Sequence, residues 1–526
     1  MKKQLSRNWL ISQSWLRFLI IILLVIGVFF RFVNLDKKVY WLDEVYTSLR
    51  ISGYMKSEME EQLQNGRLLS IEDLHKYQFP NSEKNINDTI KGLILEESQV
   101  VPLYFVIVRF WVEWFGDSVA VIRSFSAFIS LLTFPCIYWL CQELFKSSLI
   151  GWMAMVLVSI SPVHVLYAQE ARAYSLWIVA TLMSSAALLR AMRLQTKVSW
   201  CIYAATLSLG FYSQLFFSFV ALAQAIYVVI IERFRLTKTS ISYLLSSLAG
   251  FLIFVPWFWI IITNPTPEGV SWTSTKQTLL QSAIRWAGII SRAFLDLGIS
   301  PSDPGRLKIA LIPGILMIFA FIIYSIYLLC RRTSQEVWLF VLTLIGSVSL
   351  PLMLLDFVFG KRFGTTRYIL PSILGIQLAF AYLFTTKITS ISSKIWQKKL
   401  WSLVTLIVIS SGVISCILSS QAQIWWNKLP ELNQQYPQIA RVIAQANKPL
   451  LISDTSTLAI QTLGYLLDPK VRLQLVYPNN LPEITTGFTD IFLFKPSNFL
   501  KAGVEKIYNS KLQQIDNLLW KITKST

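Results

Sequence analysis

Residues 16–44 read LRFLIIILLVIGVFFRFVNLDKKVYWLDE: an apolar run, Leu16–Phe32, then a polar stretch that ends in two adjacent carboxylates, Asp43 and Glu44. The run is long enough to cross a hydrocarbon core of roughly 30 Å. No small-residue cleavage site follows it, so it reads as a retained helix and not as a removed signal peptide. Adjacent acids where a membrane helix meets water are costly neighbours unless they are used. The stretch therefore sets two expectations: the chain enters a membrane here, and the acidic pair just past it has a purpose.

The rest of the chain agrees with the first expectation. Of 526 residues 54% are hydrophobic and 14% aromatic, and the mean hydropathy is +0.52. No soluble globular protein needs that much apolar surface. The net charge of +19 would suggest nucleic acid in a soluble chain. Here the Lys and Arg fall mostly between apolar runs, where positive charge marks the cytoplasmic side. Cys136, Cys141, Cys201, Cys330 and Cys416 lie in or beside apolar runs without paired spacing, so neither a disulfide framework nor a zinc site is indicated. No Walker A or G-x-G-x-x-G sequence occurs, and no nucleotide is expected as direct substrate or cofactor.

The bases fix an expected topology. Lys2, Lys3, Arg7 and Arg17 precede or open the first run. The later basic connectors are Lys146; Arg190, Arg193 and Lys197; Arg233, Arg235 and Lys238; Arg331 and Arg332; and Lys387, Lys394, Lys398 and Lys399. All fall inside if the crossings are about 16–33, 119–141, 148–164, 173–190, 199–213, 214–231, 243–262, 307–329, 336–357, 367–386 and 400–418. That is about eleven spans, with the N-terminus cytoplasmic and the C-terminus outside. Pro102–Phe115 is apolar but short and is interrupted by Arg109 and Glu113, so it reads as a juxtamembrane or re-entrant helix.

Two domains follow, a membrane domain 1–418 and a soluble α/β domain 419–526. The membrane domain carries two outer loops. The first, 33–100, has 12 acids against 8 bases. The second, 263–306, has an amphipathic stretch around 277–297. In the tail, 436–446 has helical periodicity, and 449–453, 471–477 and 490–494 read as strands.

Four outer constellations could carry chemistry. Asp43 and Glu44 offer a base or metal ligands; the plainer reading is a helix cap beside an interfacial Trp41. Glu96 and Glu97 precede Pro102-Leu103-Tyr104 and could simply complement a helix N-terminus; paired with Asp43 across the loop, Glu97 becomes a second carboxylate or metal ligand. In Tyr167-Ala168-Gln169-Glu170-Ala171-Arg172-Ala173-Tyr174, Glu170 and Arg172 form a structural pair, or Arg172 holds a loop carboxylate or phosphate. Lys361-Arg362-Phe363-Gly364-Thr365-Thr366-Arg367-Tyr368 puts three cations where short loops usually avoid them, which calls for an anionic partner: a lipid phosphate, ordinary anionic headgroups or the acidic first loop. Of the two histidines, His75 and His164, the second reads as a packed, hydrogen-bonded residue, and the count excludes a His-rich metal site.

The ordered set is familiar. An acidic pair follows the first span, and an acid sits upstream of Pro-Leu-Tyr. Phe115-Gly116-Asp117-Ser118 leads to Arg123-Ser124-Phe125-Ser126-Ala127, and the run Ser161–Tyr174 comes next. Together these resemble the GT-C glycosyltransferases of family 39, the protein O-mannosyltransferase and aminoarabinose-transferase type, over roughly residues 15–260. The resemblance implies a polytopic α-helical enzyme of the bacterial plasma (inner) membrane with its active site outside. It moves a sugar from a polyprenyl-phosphate carrier to an extracytoplasmic acceptor, which is a glycolipid, envelope polysaccharide or protein, in one inverting displacement. It also implies Asp43 as catalytic base with Glu44 as companion, and Glu97 as metal ligand or acceptor-positioning acid. Glu170 and Arg172 would line the cavity, and Arg367 with Tyr368, joined by Arg362, would hold the carrier phosphate. A divalent metal is the one cofactor it suggests. The family commonly reads Asp-x-x-His-Pro-Pro-Leu-Tyr where this chain has Val100 and Val101 for the His and the first Pro, which weighs against a metal-bound mechanism. A non-catalytic carrier-binding relative and a lipid-linked-sugar transporter are the alternatives.

Overall fold

The computed structural model describes residues 18–265, 276–300, 303–390 and 394–524. The bases expected to fix the N-terminus (Lys2, Lys3, Arg7, Arg17) and part of the second outer loop lie outside them. The chain forms two compact units. One holds residues up to Leu35, Ser98–Tyr104 and Arg123–Gln421; the other holds Asp36–Glu97, Phe105–Ile122 and Ala422–Thr526.

The first unit is a bundle of apolar helices. Among the described residues seven helices are long and apolar enough to cross a membrane: Val119–Phe145, Tyr174–Leu194, Lys238–Thr263, Gly305–Arg332, Gln335–Phe359, Leu370–Thr389 and Ile395–Gln421. The bent pair Ser148–Ser159 and Pro162–Ala168 would make an eighth. Three more expected crossings are helical but shorter: Phe18–Phe32, Lys197–Ser213 and Phe217–Ile231. The expected eleven segments are thus all helices, of which seven or eight meet the length and hydropathy needed to span alone. Tyr174–Leu194 and Leu370–Thr389 are buried along most of their length. Lys238–Thr263 and Gly305–Arg332 expose large apolar side chains such as Leu244, Leu248, Leu252, Leu316 and Ile323, a surface that suits lipid.

The basic connectors meet at one end of this bundle. Arg193 clasps Glu143 through two bonds of 2.9 Å. Gln195 reaches Thr239 at 3.0 Å, and Lys387 sits over the rings of Tyr324 and Trp401. Helix Gln335–Phe359 starts at this end and Leu370–Thr389 finishes there, so the segment joining them, 360–369, lies at the other.

The 62° bend in the broken helix has a chemical cause. Pro162 has no N–H to give to the carbonyl four residues back, Val158. Arg31, buried in helix Phe18–Phe32, supplies donors instead: Nη2 to Val158 O at 3.2 Å, and Nη1 to Ser159 O and Gly27 O at 2.7 Å. The helices meet closely enough that a Cβ on Gly27 would sit 2.6 Å from Ser159. Replacing Arg31 by Leu leaves these buried carbonyls short of donors, so apparent stability should fall by on the order of 3 kcal/mol. Thermal unfolding of the detergent-purified protein checks this: Arg31→Lys should fall between the two, and an unchanged midpoint for Arg31→Leu would refute the assignment.

The second unit is built on a six-stranded sheet in the order β1-β3-β2-β4-β6-β5. Its strands are β1 (Asn65–Leu69), β2 (Pro449–Ser453), β3 (Arg472–Val476), β4 (Asp490–Phe494), β5 (Ser510–Asp516) and β6 (Leu519–Lys524). β2 is parallel to β3 and β4 and fully buried, as parallel strands covered on both faces are. Leu450, Ile452, Val476, Leu493, Leu500 and Val504 form a core. The three strands read from the tail are β2, β3 and β4. The sequence does not mark β1, β5 and β6: the edge strands β1 and β5 carry polar residues (Arg67, Lys511, Gln513, Gln514) in place of an apolar run, and β6, between β4 and β5, interrupts its apolar residues with Lys521 and Thr523. β1 comes from the first loop and pairs antiparallel with β3, Leu69 opposite Leu473. A division at 418/419 therefore separates stretches that the structure joins: the loop supplies an edge of the tail's sheet.

Pro102–Phe115 contains a helix, Leu103–Phe115, about 20 Å long and too short to span. Its charges are structural. Arg109 donates to Ile51 O and Lys84 O at 2.7 and 2.6 Å and pairs with Glu113 at 2.9 Å.

Candidate functional site

Asp43 and Glu44 stand in the first turn of helix Leu42–Ser52, which opens the second unit. Asp43 is half-buried. With Tyr46, Thr47 and Arg50 it lies on one face, the positions i, i+3, i+4 and i+7 of a helix. Arg50, almost fully buried, closes that face by holding Glu96 through Nη2 and Glu97 through Nε, each at 2.7 Å. Tyr46 lies among them. Burial first, then the charges of Glu97, Glu96 and Asp43 against that of Arg50, push its phenol up to about 12. Asp43 and Glu97, 54 residues apart in sequence, thus act on the same hydroxyl group.

Glu44 faces away from this cluster. It is fully buried and its Oε2 meets Lys428 Nζ, also buried, at 2.7 Å. The companion acid of the pair is thus neutralised by a base from the tail.

The metal suggested at Glu97 finds no support in these groups. The Glu97 carboxylate is held by a guanidinium, and among the described residues no three His, Cys, Asp or Glu side chains converge.

The other sequence candidates lie in the first unit. Gln169 Nε2 donates to Phe30 O and Val33 O, both at 2.8 Å, tying the Gln-Glu-Ala-Arg run to the end of the first helix. Glu170 is fully buried; the Arg172 amide donates to its carbonyl at 2.7 Å. The rings of Tyr167 and Tyr174 lie 4.9 Å apart, edge to face. The charges of Glu170, Arg367 and Arg292 all act on the Tyr167 hydroxyl. Arg367 lies 5.1 Å over the ring of Tyr368, which stacks on Phe216 at 4.4 Å. Arg362 is exposed. His164 is packed, with Nε2 2.9 Å from Gln377 Oε1.

What holds the basic segment 361–368 was not read from sequence. Asp356, fully buried near the end of helix Gln335–Phe359, accepts from Arg285 Nη2 at 2.7 Å and Trp286 Nε1 at 2.9 Å. It also accepts from the amides of Phe363 at 2.6 Å and Gly364 at 2.9 Å. Arg285 Nη1 reaches on to Gly364 O at 2.9 Å. Arg285 and Trp286 come from helix Leu279–Ser291, the amphipathic stretch of the second outer loop. The available signal was an acid inside an apolar run, which is a functional or structural flag by default. Arg31 carried the same signal. Nothing local marked Arg50 or Lys428.

Comparison with known proteins agrees with the motif reading. Residues 99–260 match a family model described as dolichyl-phosphate-mannose-protein mannosyltransferase. The fold is that of ArnT from Cupriavidus metallidurans, solved bound to undecaprenyl phosphate: TM-score 0.51 at 11% identity, covering 97% of this chain and 98% of that one. The oligosaccharyltransferase of Archaeoglobus fulgidus in its apo form matches with a TM-score of 0.50 at 14% identity over 89% of this chain and 65% of the other. No curated protein matches the chain by sequence. The chain thus has the GT-C membrane fold with a small sheet-bearing carboxyl-terminal part.

Proposed function

We propose that this protein is an integral-membrane glycosyltransferase that takes a sugar from a polyprenyl-phosphate carrier and gives it to an acceptor hydroxyl on the extracytoplasmic side of the plasma (inner) membrane. The observation that carries the reading is the basic segment 361–368, clamped by Asp356 at the end of the bundle away from the Lys and Arg connectors. Cations held in place there suit a phosphate diester at headgroup depth. The family match over 99–260 and the shared fold support the same assignment.

In this reaction Arg367 and Arg362 bind the carrier phosphate, and Tyr368 packs beside them. Asp43 takes the proton from the acceptor hydroxyl. The acceptor oxygen attacks the anomeric carbon as the bond from that carbon to the phosphate oxygen breaks. The electron pair leaves with the polyprenyl phosphate, whose charge the arginines stabilise, and the anomeric configuration inverts. Glu97, held by Arg50, acts on the acceptor, and Glu170 and Arg172 act on the donor. The positive-inside pattern supports a cytoplasmic N-terminus and a C-terminal part outside.

The test is the purified protein in vesicles with a polyprenyl-phosphate hexose and a polyprenyl-phosphate pentose, together with an envelope extract as acceptor. Release of free polyprenyl phosphate that requires both protein and extract is the expected result. Carriers that bind without being consumed would leave a binding protein, and movement of intact carrier-sugar across the bilayer would make it a transporter; either result overturns the proposal.

A further inference from the structure

The tail, Ala422 onward, carries no step of the proposed reaction, yet one of its side chains reaches the residue next to the proposed base. Lys428 and Glu44 lie 384 residues apart in sequence and 2.7 Å apart in space, with 1% and 0% of their side chains exposed. A buried ion pair is a poor source of stability, since desolvation offsets most of the attraction; apolar residues of the same size often do better. Its best-attested use is to fix one arrangement among several.

A second costly feature sits beside it. The turn Trp426–Lys428 ends at Leu429, which holds a left-handed backbone (φ 48°, ψ 70°) directly before Pro430. That conformation is unfavourable for a leucine and persists only where the surroundings impose it. Asn433 Nδ2 donates to Lys428 O at 2.7 Å and so holds the turn. The Lys428 ammonium also lies 5.8 Å from the centre of the Trp41 ring. Further along the same helix, the Ser48 hydroxyl meets Tyr465 of the tail at 3.0 Å and Tyr40 at 2.8 Å. Just upstream, Val39 N–H donates to Gln423 O at 3.0 Å. Helix Leu42–Ser52 is thus gripped by the tail at its first turn and its middle.

We infer that Lys428 is a positioning residue for the sugar transfer: by holding Glu44 it sets the first turn of helix Leu42–Ser52, and with it the carboxyl of Asp43, so the carboxyl-terminal segment is part of the catalytic apparatus. This rests on the reading of Asp43 as base. Lys428 touches neither donor nor acceptor. A displacement of about 1 Å at a reacting group costs on the order of 100-fold in rate, so small movements of this turn matter.

The experiment uses the full-length protein in vesicles. It measures turnover at saturating polyprenyl-phosphate sugar and, separately, binding of undecaprenyl phosphate without sugar. Lys428→Met should lower turnover by about 100-fold while undecaprenyl phosphate binds within twofold of wild type. Adding Glu44→Gln removes the buried charge that Lys428 no longer neutralises and leaves a neutral pair, so the double variant should recover to within about tenfold of wild type. A merely structural lysine would change the amount of folded protein but not turnover per folded molecule. Should Lys428→Met fail to fold, Lys428→Arg, which keeps the charge but changes the length and shape of the contact with Glu44, carries the comparison and should lower turnover per folded molecule while undecaprenyl phosphate still binds. Full turnover in the single variants, or equal loss in single and double, overturns the inference. An active Asp43→Asn protein would instead remove the underlying reading, whatever Lys428 does.

Discussion

Asp43→Asn should lower sugar transfer by between about 100- and 10 000-fold, the contribution of a positioned general base, while the protein stays folded and still binds carrier. The amide matches the carboxylate in shape and can accept a hydrogen bond, but it does not take a proton from the acceptor hydroxyl at neutral pH. Asp43 is half-buried at the surface of its helix, and the substitution keeps its size there. Its backbone carbonyl, which accepts from Thr47 Oγ1 at 3.2 Å, is untouched. Loss of rate with an unaltered unfolding midpoint is therefore the expected signature. Turnover within a fewfold of wild type would mean that the proton goes elsewhere, and the mechanism would fall with it.

Asp356→Ala should have the larger effect on structure and a different effect on kinetics. It withdraws one acceptor from four donors, the Arg285 guanidinium, the Trp286 indole and the amides of Phe363 and Gly364. Breaking a buried pair by removing one partner costs about 3–5 kcal/mol because the other charge is left uncompensated. The backbone of the basic segment loses its anchor as well. Packing there is close: a Cβ on Gly364 would come within 2.4 Å of the Trp286 ring and 2.7 Å of Asp356 Oδ2. If this segment binds the donor phosphate, the apparent KM for carrier-sugar should rise by 10-fold or more, equivalent to about 1.4 kcal/mol, with turnover at saturation much less affected. Asp356→Asn keeps an acceptor oxygen and should lie between. An Ala variant that is folded but binds undecaprenyl phosphate as wild type does would show that the segment is not the phosphate site.

These two residues differ in how they can be found. Asp43 is visible from sequence because its signal is local: an acid pair directly after an apolar run long enough to span. Its neighbourhood is half visible. Glu97 stands out through its position before Pro102-Leu103-Tyr104, but the Arg50 that holds it is an ordinary base in a polar loop. Asp356 is visible only as an anomaly, a charge in an apolar helix, with no hint of Arg285, 71 residues away. That the charges of Glu170 and Arg367 both act on Tyr167 is likewise invisible along the chain.

The sequence by itself determined that the chain is a polytopic helical membrane protein, where its apolar helices lie, which constellations are candidates, and which ordered motifs link it to the GT-C enzymes. Those properties depend on hydropathy over about twenty residues, on 3.6-residue periodicity and on charge at helix ends, all of which are read within one stretch of chain. Only the tertiary structure decided that Arg31 supplies the donor that Pro162 lacks, that Asp356 anchors the basic segment, that Arg50 takes up Glu97, and that strand Asn65–Leu69 and Lys428 join the first loop to the tail. Each of these is a pairing between residues tens to hundreds of positions apart. A buried polar group must find a partner, but its own sequence neighbourhood does not say which one folding will bring.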